Sequence, residues 1–105
     1  MKIANYSNGR LVASRSTAQQ LRVSVEQALG QQRDVVLDFS GVSATQPFID
    51  ELIGVLILKR GPIILDRLVF QSCSDDTRAV IEFVATDRSN QFNQQMKIGA
   101  VSART

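Results

Sequence analysis

A chain of 105 residues, 44% hydrophobic and 21% charged, has the size and balance of one globular domain, long enough to bury roughly 65% of its unfolded surface. The single cysteine, Cys73, excludes an internal disulfide, and the absence of histidine excludes Ser-His and Cys-His nucleophile pairs and most metal sites. A net charge of +2, with Lys59-Arg60 the one basic pair, is far from the basic stripe of a nucleic-acid binder.

No apolar run approaches the roughly 18 residues of a membrane span, and Met1 to Tyr6 lacks the apolar core of a signal peptide. The expectation is a cytoplasmic protein that needs no cofactor and touches neither nucleic acid nor membrane. A carboxylate- or lysine-based enzyme stays open, but no convergent catalytic set is visible.

In chain order, Met1 to Tyr6 and Arg10 to Ala13 read as two short strands. Ser7-Asn8-Gly9 between them predicts a hairpin, because Asn-Gly accepts positive φ. Ser16 is the expected N-cap of a first helix, with Gln19 completing a capping box. Leu21, Val25, Ala28 and Leu29 follow at helical spacing, and Gly30 ends the segment.

Val35 to Phe39 is an apolar, branched run that reads as a buried strand, and Ser40-Gly41 turns the chain after it. Pro47 suits the first turn of a second helix, with Thr45 or Gln46 as its cap. Asp50 and Glu51 fall in its early turns, where negative charge meets the positive end of the helix dipole. From Phe48 to Leu58 this helix is apolar on nearly every side. Such a pattern implies either a central, covered helix or an interface, including a homodimer through its exposed side.

Gly61-Pro62 stops the helix. Ile63 to Leu65 reads as a strand or a core plug, and Leu68 to Phe70 as a strand. Ser74 or Asp75 can cap a third helix, in which Thr77, Val80, Ile81 and Val84 form one stripe. The domain is placed at residues 1–88. The amide-rich stretch 89–105 is expected to be a flexible tail or, through Met96 to Val101, an added edge strand.

The fold expected from this order is a small α/β sandwich. It has an N-terminal hairpin, then helices and strands alternating in a mixed four-stranded sheet, with the helices mainly on one face. Right-handed crossovers make the later strands parallel and gather three helix N-termini at their carboxyl edge. That edge is the natural place for a partner or an anion.

Three separated motifs, Ser14-Arg15-Ser16-Thr17-Ala18, Leu37-Asp38-Phe39-Ser40-Gly41-Val42 and Phe48-Ile49-Asp50-Glu51, occur in that order. Together they resemble the bacterial STAS-like domain family of unknown function, related to sulfate-transporter and anti-sigma-factor-antagonist domains, over roughly Arg10 to Asp87. The resemblance implies a protein-interaction module, and as partner a histidine-kinase-like ATPase or another signalling protein. Antagonists of that kind are switched by phosphorylation of a Ser at the start of the helix after this strand. Here the helix start reads Gln46-Pro47-Phe48, so that switch is expected to be absent. Ser43 and Thr45 are the nearest hydroxyls.

Asp50 and Glu51 point about 100° apart on a helix and cannot share one substrate atom. They read as dipole partners, or as one acid pairing with Arg15 across the edge. Phe48 reads as a core anchor ahead of a ligand platform. Cys73 reads as a packed small residue ahead of a redox thiol. Arg15, between two serines, is the best functional charge, suited to a carboxylate or phosphate. The expected function is therefore non-enzymatic regulation by protein–protein contact through Arg15, Ser16, Ser43, Thr45, Gln46, Phe48, Asp50 and Glu51. The alternative is a small-molecule or nucleotide-binding domain that uses the helix N-termini, although no glycine-rich phosphate loop is present.

Overall fold

The structure, a computed structural model, describes the backbone of residues 1–104 and the side-chain surroundings of residues 1–97. Among the described residues there are four short strands: β1 (Leu11–Val12), β2 (Val35–Asp38), β3 (Ser43–Ala44) and β4 (Leu68–Gln71). They form two parallel pairs, β1 with β3 and β2 with β4, so the expected single mixed sheet is not what forms.

The N-terminal hairpin is also absent. Met1 and Lys2 lie parallel to β2: the Met1 ammonium donates to the Val36 carbonyl at 2.8 Å, and the Asp38 N–H donates to the Met1 carbonyl at 2.8 Å. Ile3–Tyr6 then winds as a 3-10 helix that buries Ile3. With Met1 and Lys2 held by β2 and Leu11–Val12 held by β3, tertiary pairing overrides the local Asn-Gly preference.

The first helix, α1 (Arg15–Gly30), starts two residues earlier than the spacing predicts. Its cap is Ser14, whose hydroxyl accepts from the Thr17 N–H at 3.3 Å. Ala18, Leu21, Val25 and Leu29 form its buried stripe. It ends at Gly30, as the sequence indicates, and a Schellman turn with Gln32 in the left-handed position closes it. Gln32 takes φ +60, Arg33 N–H donates to the Ala28 carbonyl at 3.0 Å, and Gln32 N–H donates to the Leu29 carbonyl at 3.0 Å. The Arg67 guanidinium closes this end by donating to the carbonyls of Leu29 and Arg33.

The motif after β2 is explained by its own geometry. Gly41 sits at φ +75 and the Val42 N–H donates to the Phe39 carbonyl at 3.2 Å, a tight turn that favours glycine at its third position. The Asp38 carboxylate accepts from both the N–H and the hydroxyl of Ser40, at 2.9 and 2.5 Å. These hydrogen bonds, the hydroxyl one foremost, hold the Asp38 carboxyl below its ordinary pKa.

The second helical stretch runs without a break through α2 (Gln46–Ile49), a π-helical segment (Asp50–Gly54) and α3 (Val55–Arg60). Phe48, Ile49, Leu52, Ile53, Leu56 and Ile57 are all fully buried. Burial between α1, α4 and the strands accounts for the all-round apolar pattern. Pro62–Arg67 is a 3-10 plug that buries Ile64, not a strand.

The last helix, α4 (Asp75–Arg104), continues through the stretch expected to be connector or edge strand. No glycine or proline interrupts residues 75–98, and glutamine tolerates a helix well. Phe92 anchors this helix by packing over Gly61, where an added Cβ would lie only 3.1 Å from the ring. Thr105 lies outside the described residues.

In β2, Val35 and Leu37 face the core while Val36 faces out. In β4, Leu68 faces in and Val69 out. The helices therefore cover one face of this pair, and the other face is open.

Candidate functional site

β1, β3 and β4 each lead into a helix, α1, α2 and α4 in turn. All three helix starts are closed by a side-chain hydroxyl. Ser14 caps α1, Thr45 accepts from the Phe48 N–H at 3.4 Å, and Ser74 accepts from the Thr77 N–H at 3.1 Å. These hydroxyls are part of the architecture.

The expected site residues separate into three groups. Ser43 belongs to a chain of hydroxyls: its Oγ lies 3.4 Å from that of Ser74, which donates to Thr77 Oγ1 at 3.0 Å. Thr77 is fully buried, and its Oγ1 also accepts the Ala44 N–H at 3.1 Å, tying α4 to β3. The groove beside this chain is lined by Arg10, Gly41, Ser43, Cys73 and Ser74. Burial pushes the Cys73 thiol pKa up, the opposite of what a reactive thiolate needs.

Arg15 and Gln46 form the second group. With Pro47, Phe83 and Asp87 they line an open cleft of about 230 Å³ between the starts of α1 and α2 and the middle of α4. The Arg15 side chain is 59% exposed and reaches Glu51 at 3.5 Å. Ser16 Oγ is 3.0 Å from Ser14 Oγ, at the same exposed start of α1.

The third group faces inward. Phe48 is fully buried, a core side chain and not a recognition residue. The adjacent acids diverge as their spacing requires. Asp50 turns to α4, where Arg88 grips it with two hydrogen bonds of 2.6 and 2.9 Å. These raise the Arg88 pKa further. Glu51 turns to α1, accepting from Gln19 Nε2 at 2.7 Å and pairing with Arg22 at 3.6 Å, while Arg22 also donates to the Glu51 carbonyl at 2.7 Å. Both acids bind helices together.

Sequence reasoning missed Phe83 and Arg88. Phe83 had a visible signal: an aromatic off the Thr77, Ile81 and Val84 stripe must face elsewhere, and it is 56% exposed at the cleft. Arg88 lies 38 positions from its partner, and only the tertiary fold reveals it.

Among the described residues, no group of three His, Cys, Asp or Glu side chains could hold a metal ion. No described helix is long and apolar enough to cross a membrane. No curated protein and no solved structure matches the chain. A family model does match, over residues 17–78, which takes in the α1 stripe, the Asp38 to Val42 turn, the helix 46–60 and the start of α4. By this match the chain belongs to the family of the STAS-like domain of unknown function.

Proposed function

We propose that this protein is a non-enzymatic regulatory module that acts by binding another protein through the cleft edge formed by Arg15, Ser16, Gln46, Pro47 and Phe83. The observation that carries the reading is the exposed Phe83 ring beside an exposed arginine and a proline in one open cleft. Aromatic residues and arginine are the side chains enriched at protein interfaces. The cleft is open and its volume of about 230 Å³ lies below the roughly 300 Å³ at which small-molecule pockets begin. By resemblance, the partner is a histidine-kinase-like ATPase or another signalling protein.

Photo-crosslinking tests this directly. A crosslinker at Gln46 is expected to capture one discrete protein in cells of the source organism, while one at Gln31, at the far end of α1, captures none. Equal capture at both positions, or none at Gln46, contradicts the reading. A nucleotide or anion that raises the melting temperature in the purified protein would instead favour the ligand-binding alternative.

A further inference from the structure

The buried side chains of the helix 46–60 lie in two rows, Phe48–Leu52–Leu56 and Ile49–Ile53–Ile57, each stepping by four residues. On a plain α-helix such rows drift by about 40° per step, a drift that α1 carries across Leu21, Val25 and Leu29 with all three buried. The π segment Asp50–Gly54 cancels that drift. Its closing hydrogen bond runs from the Val55 N–H to the Asp50 carbonyl, five residues back, and so takes one extra residue into the turn.

Such winding is not the backbone's preferred state and needs something to hold it. Gly54 is buried, and a Cβ there would collide with the Asp50 carboxylate and also press on Arg88. The carboxylate thus occupies the space the missing side chain leaves. From there it takes both hydrogen bonds of Arg88, a residue of α4 whose third nitrogen donates to Gln91 at 2.7 Å. The pair is only about a quarter exposed on either side.

We infer that Gly54, Asp50 and Arg88 form a latch through which α4 holds the π turn, and thereby sets the rotation of the helix start that carries Thr45 and Gln46. With the latch open, residues 50–54 lose the contact that holds the π winding, and the segment 45–49 is held less firmly against α3. Docking of α4 and the presentation of Gln46 at the cleft are therefore one coupled event. This inference stands on packing alone and holds whatever the cleft binds.

Amide exchange and backbone chemical shifts of the full chain test it, with Arg88→Gln and Gly54→Ala as separate variants. The second expels the carboxylate while keeping both charges. In each, the amides of residues 50–55 are expected to exchange about tenfold faster or more, with those of Leu21 and Val25 in α1 unchanged. Shift changes should span residues 45–54 and stop before Lys59. Wild-type exchange at 50–55, or equal acceleration in α1, overturns the latch. If Arg88→Gln does not fold, Gly54→Ala decides by the same two criteria.

Discussion

The helix 46–60 and the cleft edge beside its first turn are covalently continuous yet physically opposite. In the helix six large apolar side chains are fully buried, and each nearby acid is consumed by a neighbouring helix. At the edge, Arg15, Gln46 and Phe83 are exposed and commit little to the fold. The difference locates stability in one region and leaves the other free to be the proposed recognition surface, although the family motifs run through both. A residue in such a motif is therefore not a site residue by virtue of its position, as Phe48 shows.

The largest test of this division is Phe48→Ala, expected to cost about 3–5 kcal/mol by the cavity it leaves, measured by urea unfolding. That is a large part of the roughly 5–15 kcal/mol that holds a domain together. A loss under about 1 kcal/mol would place Phe48 outside the core and break the comparison.

Thr77→Val keeps the shape but leaves the Ala44 N–H without its acceptor. The expected loss is about 1–3 kcal/mol, with faster exchange at Ala44. An unchanged Ala44 amide would show that the hydroxyl chain does not join β3 to α4.

Asp38 gives a smaller effect with a defined pH sense. Its folded pKa lies below the ordinary 3.8, so its contribution is complete above that value and fades as pH falls through the lower folded value. Wild type is expected to exceed Asp38→Asn in stability near neutral pH, and the two should converge in acid. Parallel curves would mean that the Ser40 hydrogen bonds do not depend on the charge. The smallest effect belongs to the edge: Arg15→Ala with Gln46→Ala should shift stability by no more than about 0.5 kcal/mol per residue.

Much of the helical framework was legible because it rests on local patterns. The Leu21, Val25 and Leu29 stripe and the Thr77, Ile81 and Val84 stripe both lie where their spacing predicts. The strand pairing was not legible. Asn8-Gly9 is a real turn signal, but the competing partner for Leu11–Val12 is β3, some thirty residues away. Residues 89–104 misled because amide-rich composition reads as connector while glutamine is a competent helix former. Within the expected site, the pairing of Arg15 with an acid was legible. The choice of Glu51, and the capture of Asp50 by Arg88, required the fold.

The most direct measurement is crosslinking from Gln46 in cells, run beside an Arg15→Ala background and a thermal melt of the same proteins. The account predicts one discrete crosslinked protein, lost with Arg15→Ala while the melting temperature stays within about 2 °C. Capture that survives Arg15→Ala, or that disappears only because the fold melts, would contradict it.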